Sequence, residues 1–167
     1  STGGTVLQKP DITAADGASG SAAVPGFSPF YGTSAAAPHA AAIAALLKSY
    51  NTVLTPSQIR AALTNSALDV MSAGYDRNSG AGIIMALHTL AAASGKPWLL
   101  VGSPLLSGGN GNGIIDSNEC NRLRFYVQNI GPATASNVTA VLSTSTTGVN
   151  ITQPVTSYPD ILPGNTA

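Results

Sequence analysis

Charge is scarce in this chain. Asp, Glu, Lys and Arg make up 8% of 167 residues, and seven bases balance seven acids. Without a basic excess there is no electrostatic footprint for nucleic acid, whose phosphates are engaged mainly by Lys and Arg. Cysteine occurs once, at Cys120, so no disulfide closes within these residues. The thiol either pairs outside them or stays free, and a buried free thiol is the expectation. Histidine occurs only at His39 and His88, which leaves few candidates for a general base at neutral pH. No apolar run approaches the roughly 18 residues of a membrane span, and much of the hydrophobicity comes from alanine, valine and leucine. The first residue is Ser1, not Met, and Ile161 to Ala167 carries no obvious terminus, so a piece of a longer protein is expected.

What the chain does have is a small hydroxyl at the mouth of an alanine-rich helix, in Gly32-Thr33-Ser34-Ala35-Ala36-Ala37-Pro38-His39. The first N–H groups of a helix have no intrahelical partner and carry partial positive charge, so Ser34 sits where a developing oxyanion is stabilised. The residues around it are too small to crowd a substrate. Upstream lie Lys9-Pro10-Asp11-Ile12 and Ala15-Asp16-Gly17; downstream lie Thr55-Pro56, Ile59-Arg60 and Gly80-Ala81-Gly82-Ile83.

In order and spacing these motifs resemble the C-terminal third of a subtilisin-like serine peptidase (subtilase) domain, over roughly residues 5–93. The neighbouring sedolisin family also carries Gly-Thr-Ser, but His39 after Pro38 favours the subtilisin-like branch. The resemblance implies that Ser34 is the catalytic nucleophile, that Gly32 and Thr33 support the oxyanion site, and that Pro38 and His39 are structural parts of the motif. It implies a secreted, extracellular endopeptidase acting on polypeptides through an acyl-enzyme, with no cofactor for the chemistry.

The family orders its triad Asp, His, Ser along the chain. Nothing before Ser34 matches the family's His or its oxyanion Asn. His39 lies five residues after Ser34 on the same helix, so the two side chains diverge. His88, in an apolar helical stretch, reads as structural or surface-lying. The base, the orienting Asp and the oxyanion Asn are therefore expected from an upstream remainder of the same catalytic domain. A serine without its base is a poor nucleophile, so this stretch alone is expected to be inactive. The other reading is a non-catalytic pseudo-peptidase, or an extracellular binding or adhesion module. Retention of Ser34 in an intact Gly-Thr-Ser favours the enzyme.

The fold expected is α/β subtilisin-like, three-layered, with residues 1–95 as its C-terminal part. Helices are expected from Ser34 to about Lys48-Ser49, from the Thr55 cap to about Asn65–Leu68, and from Gly82 to Ala93. Thr55-Pro56-Ser57-Gln58 carries a full start signal, with a Thr cap, Pro at the first position and Gln three residues after the cap. The alanines of the first helix suit a buried central position, with Pro38 in the opening turn. Val6-Leu7 and Asp11-Ile12 flank a proline, and Gly17 to Pro29 reads as surface loop. Phe27, Phe30 and Tyr31 line the substrate cleft or pack beneath that loop. Asp11 and Asp16 read as structural, and Asp69, Asp76 and Arg77 as a solvated connection.

From Trp98 the helical period gives way to alternation. Residues 123–127, 138–142 and 149–152 read as strands, with Asn129-Ile130-Gly131-Pro132 as a turn. Strands at this spacing suggest an all-β immunoglobulin-like sandwich fragment over 96–167, truncated, since three or four strands do not close a sandwich. Asn129-x-Gly131 and Leu142-Ser143-Thr144 resemble accessory domains of bacterial extracellular peptidases. Asn137-Val138-Thr139 and Asn150-Ile151-Thr152 fit the glycosylation acceptor pattern, which matters only in a eukaryotic source.

Residues 108–119, Gly-Gly-Asn-Gly-Asn-Gly-Ile-Ile-Asp-Ser-Asn-Glu, align with a twelve-residue EF-type calcium loop. Asn110, Asn112, Asp116 and Glu119 fall at ligand positions three, five, nine and twelve, Gly113 at the sharp turn, and Ile114 offers its carbonyl. Gly108 stands where an acid is expected, and no helices obviously flank the loop. The alternative is a Gly/Asn turn whose acids cap the next strand. With two carboxylates the expected Ca²⁺ affinity is weak, about 10⁻⁴–10⁻³ M.

Overall fold

The structure, a computed structural model, describes residues 4, 7–19, 25 and 28–167. The expectations for Val6 and Phe27 lie outside the described residues. The chain divides into two compact units, Ser1–Ala93 and Ser94–Ala167.

Among the described residues three helices form in chain order: α1 (Thr33–Tyr50), α2 (Pro56–Asn65) and α3 (Ala86–Ser94). The first is capped by Gly32 at φ 100°, ψ −179°, backbone that suits glycine alone. Pro38 lies inside α1 rather than in its opening turn. It therefore removes the N–H that would bond the Ser34 carbonyl one turn back. At the C-terminal end, Lys48 Nζ donates to the carbonyls of Thr52 and Leu54, at 2.5 and 2.7 Å. A cation there complements the exposed carbonyls of the last turn.

α2 starts as its sequence indicates. The Thr55 hydroxyl accepts the Gln58 N–H and the Gln58 side chain accepts the Thr55 N–H, a complete capping box. α3 begins four residues later than its periodicity suggests. Residues 82–84 are drawn instead into a short ribbon: Ile83 exchanges two backbone bonds with Leu68, and Thr13 bonds Gly82 and Ile84. Backbone pairing overrides helical pattern here because Gly82, at φ 115°, allows contact no side chain permits. A Cβ at that position falls 2.2 Å from the Leu68 carbonyl oxygen.

The core of this unit is Ile43 of α1, Leu63 of α2 and Ile84, with Ile12, Ile59 and several alanines packed around them. Of α1, only Ala35, Ile43 and Leu47 are buried. Ala41, Ala42 and Ala45 are exposed, so in this chain α1 buries one stripe rather than its whole circumference.

The second unit is built from antiparallel pairs: β1 (Leu99–Val101) with β4 (Val127–Asn129), β2 (Leu105–Gly108) with β3 (Asn121–Arg124), and β5 (Thr139–Val141) with β6 (Val155–Ser157). On its other edge β4 is bonded by the chain's last residues, Val127 with Ala167 and Asn129 with Asn165. The expected strand 123–127 is thus two strands with a break at Phe125-Tyr126, each pairing with a different partner. Residues 149–152 form no strand; the partner of β5 lies further on, after Pro154. These are three two-stranded ladders, compatible with a small all-β unit.

Asn129 organises this unit. It is fully buried, and its side chain makes four hydrogen bonds. Nδ2 donates to the Ala133 and Ile161 carbonyls at 2.7 and 2.9 Å; Oδ1 accepts from the Trp98 and Gly131 amides at 3.1 and 3.0 Å. Gly131 belongs to the same device, since a Cβ there meets the Lys96 carbonyl oxygen at 2.3 Å. The Asn129-x-Gly131 signature is therefore a buried polar staple beside a close backbone crossing.

Candidate active site

Ser34 is the second residue of α1 and is exposed. Its neighbours along the helix are alanines, with Ala35 turned into the core and Ala37 exposed. The first intrahelical bonds run from the Ala35 and Ala36 amides to the Gly32 carbonyl, at 2.9 and 3.1 Å. The amides of Thr33 and Ser34 precede that ladder and so belong to the unpaired, electropositive end of the helix. A hydroxyl and two orphan amides at one exposed helix mouth are what acyl transfer requires on the nucleophile and oxyanion side. Gly32 is the cap of α1 and Thr33 its first residue, one position earlier than the start near Ser34 that the sequence suggests. Pro38 and His39 follow within α1 and are exposed.

The approach to Ser34 is held by residues far from it in sequence. Asp16 Oδ2 accepts the Gly32 N–H at 3.0 Å. Ala18 and Phe30 exchange two backbone bonds of 3.1 and 2.8 Å. Between these contacts the Tyr31 ring lies over Gly17, where a Cβ falls 2.9 Å from Cε1. Tyr31 is otherwise 66% exposed, beside the site rather than packed beneath a loop. Asp16, read from sequence as a turn residue, is a contact of the α1 cap, two residues before Ser34. A hydrogen bond spanning sixteen residues leaves no local signal in composition or periodicity.

His39 is exposed on α1 and His88 is half-buried on α3, its Nδ1 buried without a hydrogen-bond partner. Among the described residues, no hydrogen bond joins either imidazole to Ser34. The base is not among the groups the structure brings together.

Lys9-Pro10-Asp11 is a structural clamp. The Asp11 carboxylate pairs with Arg60 of α2 and with Lys9, and these two cations hold its pKa down at about 2. The Asp11 carbonyl accepts the Ala81 amide, and the Tyr75 hydroxyl donates to the Pro10 carbonyl. The motif thus ties α2 to the loop before Gly82. Asp76 corrects a reading as well, being part of a folded turn rather than a solvated connection. It accepts the Asn78 and Ser79 amides and the Ser79 hydroxyl, which lowers its pKa, chiefly through the hydroxyl.

The loop of residues 109–120 joins β2 to β3 and brings the four candidate calcium ligands together. Asn110 donates its amide to Glu119 Oε1 at 3.0 Å and its side-chain nitrogen to Asp116 Oδ2 at 3.5 Å. Asn112 Nδ2 reaches the same Asp116 oxygen at 2.8 Å, and the Asp116 amide donates to Glu119 Oε2 at 3.2 Å. Gly113 makes the sharp turn at φ 79°. Only two of these groups are acids, and among the described residues no three His, Cys, Asp or Glu side chains gather around a common point. Cys120 closes the loop through its carbonyl, which accepts the Gly109 amide, and is exposed rather than buried. It follows a hairpin loop at the surface, so its thiol has no core to enter.

The geometry on the page is an exposed serine at a glycine-capped helix mouth, with the cap amide held by the Asp16 carboxylate. The model of the subtilase family matches residues 1–82, just under half of the chain, and that stretch includes Ser34, Gly32 and Asp16. This part of the chain is similar to subtilases, hydrolases that cleave polypeptides. No curated protein matches the chain. Among the described residues no helix is long and apolar enough to cross a membrane.

Proposed function

We propose that this chain carries the nucleophile half of a secreted, subtilase-type serine endopeptidase site. Ser34 Oγ attacks the scissile carbonyl and its own backbone N–H donates to the oxyanion. A His from residues N-terminal to this stretch takes the Ser34 proton and gives it to the departing amine as the peptide C–N bond breaks, leaving the acyl-enzyme, while an Asp orients that His. The observation that carries this reading is the placement of exposed Ser34 at the glycine-capped N-terminus of α1, inside the segment that matches the subtilase model. The acyl-enzyme then hydrolyses by the same route, with no cofactor in the chemistry. By itself the chain holds the nucleophile without its base and is inactive. The β-rich unit serves as an immunoglobulin-like accessory module outside the cell.

The test is active-site labelling with a fluorophosphonate. A protein joining this chain to its upstream catalytic residues labels covalently; its Ser34→Ala form and the present chain alone do not. A folded, processed wild type that stays unlabelled turns the reading to a pseudo-peptidase whose role lies in its β-rich unit.

We also propose a weak structural Ca²⁺ site in loop 108–119, supported by the convergence of Asn110, Asn112, Asp116 and Glu119. Two carboxylates neutralise a divalent ion; the Asn110 and Asn112 side-chain oxygens, which accept the Asn112 and Ile114 amides at 2.9 and 2.8 Å, and the Ile114 carbonyl would supply the further oxygen donors calcium takes. Calorimetric titration at millimolar Ca²⁺ gives measurable heat, and EDTA lowers the melting temperature. No heat and no shift refute the site.

A further inference from the structure

We infer that Asp16 is a positioning residue for Ser34, a role that rests on reading Ser34 as the nucleophile. The attack geometry of Ser34 depends on how the chain enters α1, and that entry is unusual. The cap is Gly32, which has no side chain with which to bond the first turn, and its φ of 100° is accessible to little besides glycine. A flexible cap with no capping side chain leaves the peptide planes before Ser34 poorly determined.

Asp16 supplies what the cap lacks. Its carboxylate accepts the Gly32 N–H at 3.0 Å, fixing the plane of the peptide that precedes Thr33 and Ser34. The bond does not act alone. The Ala18–Phe30 pair and the Tyr31 ring on Gly17 bring residues 16–18 against residues 30–32, so the carboxylate is presented by a short two-sided clamp. A carboxylate beside a helix N-terminus is also favourable electrostatically. The arrangement sets the direction of the Thr33 and Ser34 amides and of Ser34 Oγ, and touches none of the reacting atoms.

Two variants separate this from simple stabilisation. Asp16→Asn keeps an oxygen acceptor for the Gly32 amide, whereas Asp16→Ala removes it. In the present chain, hydrogen exchange at the Gly32 amide should accelerate about tenfold in Asp16→Ala and change little in Asp16→Asn. In the protein joined to its upstream catalytic residues, Asp16→Ala should lower kcat and the fluorophosphonate labelling rate about tenfold to a hundredfold. KM stays within about twofold, since substrate binding is untouched, and Asp16→Asn restores most of the rate. Unchanged exchange at Gly32, or unchanged labelling in Asp16→Ala when the wild type labels, overturns the role of Asp16 alone. A loss of rate that follows the loss of melting temperature equally in both variants also overturns it. An unlabelled wild type overturns the nucleophile reading itself and leaves Asp16 nothing to position.

Discussion

Replacing Asn129 by leucine, which is similar in size and cannot hydrogen-bond, should strongly destabilise the β-rich unit. The wild-type side chain is fully buried and bonds two carbonyls and two amides. One of those carbonyls, Ile161, keeps another partner, because it also accepts the Ala135 amide at 3.0 Å. The substitution therefore strands the Ala133 carbonyl and the amides of Trp98 and Gly131. At about 1–2 kcal/mol for each unsatisfied buried group, toward the lower part of the usual range, the loss is about 3–6 kcal/mol. A domain of this size has only about 5–15 kcal/mol of stability in total. The melting temperature should fall by at least about 12 °C, taking about 4 °C per kcal/mol as the smaller conversion. Trp98 is the only tryptophan in the chain and its amide is one of the stranded groups, so its fluorescence follows the transition directly. Asn129→Asp adds a sharper test. An ionised carboxylate keeps the two amide contacts but faces the Ala133 and Ile161 carbonyls with charge, so its penalty should be larger at pH 7 than at acid pH. If Asn129→Leu melts within about 2 °C of the wild type, the buried network does not hold the unit together and the reasoning fails.

Two further perturbations probe the first unit. Thr55→Ala breaks the capping box of α2 and should cost about 1 kcal/mol by chemical denaturation, with no effect if the box is incidental. Lowering the pH titrates Asp11, whose folded pKa of about 2 lies below the ordinary 3.8. Its contribution is complete above 3.8 and is lost as pH falls toward 2. The difference in melting temperature between wild type and Asp11→Asn should therefore close across that window, and a gap that stays constant would contradict the ion pairs with Arg60 and Lys9.

What was legible in the sequence was mostly local. The start of α2 is written in four consecutive residues, and α1 in a run of alanines after a glycine, because caps and propensity act over a few bonds. The place of Ser34 at an exposed helix mouth was legible for the same reason. Longer-range pairing was not. Residues 82–84 look helical by period but serve as a ribbon between Thr13 and Leu68, a choice made by partners as distant in sequence as Thr13 is from Ile84. The 123–127 stretch alternates like one strand, yet its two halves pair with different neighbours, which periodicity cannot register. Asp16 read as a turn residue and Asp76 as part of a solvated connection until their amide partners were in view. The Asn129-x-Gly131 pair was visible as a signature, whereas its cause, a buried staple at a backbone crossing, appears only in three dimensions.

The central claim is that Ser34 is an activated nucleophile when the upstream catalytic residues are present. The direct measurement is fluorophosphonate labelling of that longer protein, with the modified residue located by peptide mass spectrometry, beside its Ser34→Ala form. The account predicts a single adduct on Ser34, lost on substitution. An adduct on another serine, or none on a folded and processed protein, would contradict it.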